Sequence, residues 1–287
     1  MIEKIRERLA HNIPFFFGAP VIVWQIMFFF VPILLIIVLS MCTAGSWQGF
    51  SGLSFANFTL FFKPTFARVI VRSLLFALAN AVICLFIAYP IAYFLVFKVK
   101  RYQDLLIFWF ILPFGTSFLL HVYAWFFVLE RHGFINTLFM KLGILSEPLR
   151  ILNTPLAVGI MMAYYYLPFM ALPLYATLEK FDSRLLEASL DLGATWWQTV
   201  RKVMIPMTLP GILSGFFLVF VPSFAEFAIP ELMGGDRTMF AGTVISHYIL
   251  GGTTISQGAA FTIICSVILI IATAFFYWLI KRIVKRL

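Results

Sequence analysis

Charge, cysteine and the patterns that mark a soluble catalyst are what this chain has least of. Only 11% of its residues are Asp, Glu, Lys or Arg, and 62% are hydrophobic. A soluble domain carries about a quarter charged residues and about half apolar ones. The 35 Phe residues are more than one aqueous-facing core would bury, so the composition excludes an ordinary soluble domain. Cys42, Cys84 and Cys265 lie far apart, in or beside apolar runs, with no CxxC pair. They read as small packing residues rather than metal or redox ligands. No GxxxxGK[ST], HExxH or GxSxG pattern occurs, so no phosphate cradle or hydrolytic centre is legible. Internal repeats and an inverted pair of interrupted apolar segments are missing too, which argues against a secondary transporter. Acids number 12 against 21 bases, yet no basic run interleaves with aromatics, and a nucleic-acid groove is excluded.

What the chain does have is membrane-length apolar runs. A bilayer core about 30 Å thick needs about 20 helical residues to cross it. Six segments qualify: 17–41, 69–97, 104–128, 155–178, 207–231 and 258–280. The fold class is therefore all-α, a polytopic membrane protein with one six-span domain over residues 17–280. The intervening loops are 42–68, 98–103, 129–154, 179–206 and 232–257. With the N-terminus inside, fourteen Lys and Arg fall on the inner side and six on the outer side. That bias places both termini in the cytoplasm. Residues 1–16 form a cytoplasmic segment in which Ile2, Ile5 and Leu9 share one helical face, suited to lying along the inner surface. Its mixed charges and the length of the following run do not fit a cleaved signal peptide. Residues 281–287 make a basic cytoplasmic tail. Pro32, Pro90, Pro113, Pro168, Pro173 and Pro222 sit inside spans and predict kinks.

The loop 179–206 is the longest amphiphilic island. Asp182 or Ser183 caps a first short helix from Arg184 to Leu192. Gly193 suits a left-handed terminus, and Thr195 with Gln198 matches a capping box for a second helix. Leu185, Leu186, Ser189 and Leu192 form an apolar face, while Glu187, Asp191, Arg201 and Lys202 stay polar. An apolar face outside the bilayer needs a partner. Its candidates are the membrane surface or a groove on a soluble protein, and the acids on the first helix, which an anionic inner leaflet would repel, favour the latter.

Glu187-Ala188-Ser189, Gly193, Val203 and Ile205-Pro206 resemble the EAA loop of the permease subunits of bacterial ABC importers. Ser189 stands where that family has a second Ala. The stretches Asn153 to Thr195 and Phe224 to Gly235 look like permeases for spermidine and putrescine. Permeases for opines, phosphonates or metal ions share much of the pattern and remain alternatives. A membrane-embedded enzyme or a channel scaffold is left open as well. The resemblance implies a type I ABC importer permease architecture in the bacterial inner membrane. It implies a coupling surface made by Glu187, Ala188, Ser189, Gly193, Ala194 and Pro206. It also implies a second, related but different permease chain, two cytoplasmic ATPase subunits that bind ATP and Mg, and a periplasmic binding protein. This chain itself then needs no cofactor, metal or catalytic residue.

For a route through the bilayer, ionisable and aromatic groups within spans are the candidates. Glu226 is read as lying late in the fifth span, facing the pathway or paired with Arg72. Glu231 and Asp236 would line the outer half. Tyr123, Trp125, Tyr164, Tyr165 and Tyr166 are candidate aromatic lining. Carboxylates and aromatic faces suit a polycation through charge pairing and cation–π contact. His121 is read as a packing residue.

Overall fold

A computed structural model of the chain describes residues 18–42, 55–235, 238–251 and 255–285. The segment 1–16 expected to lie on the membrane surface is outside the described residues, as is Asp236. Among the described residues the elements in chain order are helices. The main ones are α1 (Gly18–Met41), α2 (Pro64–Phe97), α3 (Lys100–Gly115), α4 (Phe118–Leu129) and α5 (Phe134–Lys141). Then come α6 (Pro155–Glu179), α7 (Arg184–Asp191), α8 (Trp196–Met207), α9 (Leu209–Ala225), α10 (Ala228–Met233), α11 (Ala241–Leu250) and α12 (Ile255–Val284). Among the described residues four helices are long and apolar enough to cross a membrane, or up to six spans if each of two bent pairs counts as one.

The chain divides into two units, residues 1–63 with 245–264, and 64–244 with 265–287. In the first, α1 is exposed along its apolar length. Asn57, in a short helix over Ala56–Thr59, ties that segment to the end of α1, its Nδ2 donating to the carbonyls of Ser40 and Cys42 at 2.9 and 2.7 Å. Phe61 is buried against Phe261, with ring centroids 4.7 Å apart.

The second unit is built on α2, α6 and α9 packed together. Ala77, Ala81, Cys84, Ala88 and Ala92 of α2 are fully buried and recur at helical spacing, so the stripe lets neighbouring backbones approach. On α9, Gly211 and Gly215 do the same one turn apart. A Cβ on Gly211 would sit 2.5 Å from Thr177 Oγ1, and one on Gly215 would sit 2.7 Å from Met170 Sδ and 3.0 Å from the Met170 carbonyl. Small residues at such spacing are the usual means of close helix approach in lipid, where dispersion packing replaces the hydrophobic drive. A buried polar pair adds to it: Asn80 Nδ2 donates to Ser223 Oγ at 2.8 Å. At one end, Asn136 donates to the carbonyls of Glu130 and Leu149 and accepts from the Leu149 amide at 3.0 Å, which pins the turn after α5.

Two spans and one loop depart from expectation, the first of them at Pro113, where a kink is expected but a full break is found. The stretch 104–128 is not one straight helix: the segments either side of Thr116 and Ser117 bend by 94°. Pro113 removes a backbone donor, the helix tightens into a 3₁₀ turn over Leu112–Gly115, and Thr116 and Ser117 are extended. The stretch 207–231 also breaks. A 70° bend at Thr208 separates α8 from α9, and the helix ends at Ala225. The expected outer loop 232–257 contains a helix, α11. By contrast, α2 continues through Pro90 and α6 through Pro168 and Pro173. A widened π turn precedes Pro32 at Ile26–Phe30 and precedes Pro206 at Val200–Met204. In both places the wider turn relieves the clash of the proline ring with the carbonyl one turn back. α12 runs to Val284, so Lys281 and Arg282 of the basic tail belong to its last turn.

Candidate functional site

Two constellations stand out in the second unit, one at the loop 179–206 and one beside the bend at Thr116.

The loop folds as its local sequence dictates. Asp182 Oδ1 accepts the Arg184 amide at 3.0 Å, while Ser183 makes no side-chain cap. α7 ends at Gly193, whose φ is +82°. Its amide donates to the Leu190 carbonyl at 2.9 Å, and the Ala194 amide reaches back to the Ser189 carbonyl at 3.2 Å. That pair of bonds is the Schellman arrangement, and it satisfies carbonyls the helix end would leave orphaned. The capping box forms on both sides. Thr195 Oγ1 accepts the Gln198 amide, and Gln198 Oε1 accepts the Thr195 amide at 2.9 Å. The second helix is longer than expected, because α8 continues through its π turn to Met207 and includes Pro206.

The two helices are also bound to each other. Ser189 Oγ and Thr199 Oγ1 lie 2.9 Å apart, Thr199 is fully buried, and Leu186 is buried beside them. The expected apolar face therefore splits. Leu186 and Ser189 turn inward, while Leu185 and Leu192 remain exposed, Leu192 at 89%. Glu187 and Ala188 are exposed as well. The loop is seated on the membrane helices through rings: Trp196 on Tyr93 at 5.7 Å and Phe181 on Phe97 at 6.2 Å. Tyr89 on α2 reaches Thr208 at the α8–α9 bend, hydroxyl to hydroxyl at 3.2 Å. A displacement of α7 would thus be transmitted to both α2 and α9.

The second constellation gathers at the bend between α3 and α4. His121 Nδ1 lies 3.0 Å from the Tyr164 hydroxyl, and its Nε2 meets Thr116 Oγ1. Trp125 packs on Tyr164 at 5.3 Å, and Phe118 packs on Tyr165 at 4.9 Å. A cleft of ≈ 170 Å³ opens between them, lined by Trp109, Pro113, Thr116, His121, Tyr164 and Tyr165. Of the expected aromatics, Trp125, Tyr164 and Tyr165 come together here, with Tyr166 packed behind Tyr165. Tyr123 is exposed and takes no part. His121 does pack, and it also lines the cleft.

Glu226 is placed differently from the sequence reading. It is the first residue beyond α9, with φ −63° and ψ 129°, and it is half-buried. Oε1 accepts the amides of Ala228 and Ile229 at 3.0 and 3.4 Å, so the carboxylate starts α10. Oε2 accepts the hydroxyl of Tyr166 at 2.7 Å. The partner is Tyr166 rather than Arg72, whose guanidinium lies over the Phe240 ring. Tyr166 packs on Tyr165 at 5.4 Å, which links Glu226 to the cleft through two rings. Tyr166 was expected only as aromatic lining; its hydroxyl bond to Glu226, across 60 residues of chain, was not legible from the sequence. Glu231 is exposed on α10 and makes no part of this group.

Comparison with known proteins follows this geometry. The profile of "Binding-protein-dependent transport system inner membrane component" proteins matches residues 9–287. The chain is 37% identical over 255 residues to the spermidine/putrescine transport system permease protein PotB of Haemophilus influenzae, covering 88% of this chain and 89% of that one. It is 36% identical to PotB of Escherichia coli over 92% of this chain and 96% of the relative. The spermidine/putrescine transport system permease protein PotC of Haemophilus influenzae matches over 71 residues at 35% identity, 25% of this chain and 28% of that one. Among solved structures, a chain of a bacterial alginate ABC transporter in complex with an alginate pentasaccharide-bound periplasmic protein superposes with a TM-score of 0.75. It does so at 17% identity over 97% of this chain and 98% of that chain, a likeness of fold. The chain belongs to the family of binding-protein-dependent transport system inner membrane components.

Proposed function

We propose that this chain is the permease subunit of an ATP-driven importer that carries polyamines across the inner membrane. The observation that carries the reading is the identity of 36–37% to spermidine/putrescine permeases over about nine-tenths of the chain. The geometry supports the mechanism. α7 presents Glu187 and Ala188 outward while Ser189, Gly193 and Ala194 hold its shape, which suits docking into a cleft on a cytoplasmic ATPase. Pro206 sits in the turn just before the α8–α9 bend, where movement of the loop passes to α9. ATP and Mg would be bound by two partner ATPase chains. A second, different permease would complete the route, and a periplasmic binding protein would deliver substrate at the opposite face. Both termini face the cytoplasm in this arrangement.

Substrate would pass the aromatic group at Tyr164, Tyr165 and Trp125, with Glu226, Glu231 and Asp236 attracting its ammonium groups from the outer side and Tyr123 near the surface. An ammonium arriving at Glu226 has one oxygen to compete for, because Oε1 is held by two backbone amides and Oε2 by a single hydroxyl. Displacing Tyr166 from Oε2 would then couple substrate arrival to the packing of α6. Energy comes from the difference in ATPase docking between conformations, since a ligand shifts an equilibrium only by differential affinity. Co-purification tests the assembly: expressed with its genomic neighbours, the chain should bring down a Walker-A ATPase and a second permease. Isolation of the chain alone, from membranes where those neighbours are present and soluble, would contradict it.

A further inference from the structure

At the loop end of the second unit, α2, α8, α9 and α12 enclose a groove of ≈ 530 Å³, away from the aromatic cleft at Thr116. Its walls include Leu78, Phe86, Trp197, Phe216, Leu279 and Val284. Every lining side chain is a hydrocarbon, an aromatic ring or proline. The one hydroxyl, on Tyr89, is already engaged with Thr208. A polyamine would find no partner there, so the groove is separate from the proposed route. Along α2 it extends from Leu78 to Pro90, about 18 Å at 1.5 Å per residue. That is close to the hydrocarbon depth of one leaflet, about half of a 30 Å core, and too short for a full membrane-spanning helix. Trp197 lies at its mouth, 69% exposed, as an indole does at a lipid interface. One turn along α8 from Trp197 stand Arg201 and then Lys202, both exposed and with no carboxylate partner among the described residues.

We propose that this groove holds an acyl chain of an anionic phospholipid whose phosphate is bound by Arg201 and Lys202. Apolar walls of single-leaflet length and cations at one end match the two halves of such a lipid. Basic pockets between helices on the cytoplasmic side suit anionic headgroups in the leaflet where these are enriched. The side of the membrane rests on the orientation proposed above. The lipid bridges α8 to α2 and α12, so it would stiffen the seat of the loop.

The test is mass spectrometry of lipids retained by the complex, expressed with its partner chains and purified from membranes rich in phosphatidylglycerol and phosphatidylethanolamine. The expected result is one tightly retained phosphatidylglycerol per chain, selected over the zwitterionic lipid. Leu279→Trp, which fills the groove, removes it. Arg201→Glu with Lys202→Glu, at exposed positions that leave packing intact, lowers retention by on the order of fivefold per cation and abolishes the preference for phosphatidylglycerol. Equal retention in wild type and the charge-reversal variant overturns the proposal. So does retention without headgroup preference, or loss of a partner permease rather than a lipid from Leu279→Trp. If Leu279→Trp fails to assemble, the charge-reversal variant decides alone. The measurement uses neither substrate nor ATP, so its failure and a failure of the import reading are separate outcomes.

Discussion

Replacing Gly193 perturbs the loop through one dihedral angle and nothing else. Its φ is +82°, and a Cβ built there meets nothing within 4 Å. The cost of a side chain is therefore conformational, not steric contact with neighbours. For an L-residue the left-handed region costs about 1–2 kcal/mol, a shift of about 5- to 30-fold in the opening equilibrium of the turn. Two amides report that opening, those of Gly193 and Ala194, because their bonds to Leu190 and Ser189 close the end of α7. In Gly193→Ala, hydrogen exchange at residues 193 and 194 should accelerate by that factor, while the core of α2 is unchanged. Gly193→Asn should lie nearer wild type, since Asn tolerates this conformation better than Ala. Exchange measured by mass spectrometry on the purified protein in nanodiscs resolves the difference. If Ala and Asn accelerate exchange equally, or Ala has no effect, the turn is not held by the glycine dihedral and the reasoning fails.

Gly193→Trp, whose Cβ meets nothing within 4 Å, should insert normally into the membrane but lose coupling between ATP hydrolysis and transport; normal uptake would remove the turn from the coupling path. Gly211→Val drives side-chain carbon into Thr177 Oγ1 at 2.5 Å and the Pro173 carbonyl at 2.8 Å, so thermal unfolding should reveal a loss of about 1–3 kcal/mol. Ser223→Ala leaves the buried Asn80 amide without its partner and should cost about 0.6–1.7 kcal/mol, the range of hydrogen bonds between membrane helices. Glu226→Gln keeps an oxygen for the Ala228 and Ile229 amides but loses the charge, so polyamine KM should rise while the protein stays folded; Tyr166→Phe, which frees Oε2, should lower KM if ammonium and hydroxyl compete.

Much of this architecture was legible in the sequence, and the parts that were not share a cause. Apolar length identifies the spans because a lipid environment demands that about 20 residues be apolar, whatever their order. The same averaging hides where a helix breaks. Pro113 with Gly115, Thr116 and Ser117 carried the signal for the 94° bend, but Pro90, Pro168 and Pro173 carry a similar one without breaking their helices. The difference lies in the following residues, since Thr116 and Ser117 adopt extended backbone readily whereas apolar residues continue each of the others. The loop was legible to the level of single hydrogen bonds, because caps are local: Gly193 and the Thr195–Gln198 box need only neighbours in sequence. Its facing was not. Leu186 turns inward and Leu192 outward according to how α7 meets α8, a tertiary fact. Glu226 shows the same limit, for its partner Tyr166 lies 60 residues away.

The central claim is that this chain carries polyamines under ATP drive, and uptake by a defined system tests it most directly. The chain would be reconstituted in proteoliposomes with its partner permease and ATPase, ATP trapped inside, binding protein outside, and labelled spermidine or putrescine supplied. The account expects accumulation against a gradient that requires ATP, requires the binding protein and is abolished when Glu187 on the exposed face of α7 is replaced by Arg. Accumulation of a different small solute, with neither polyamine taken up by the same active complex, would contradict it.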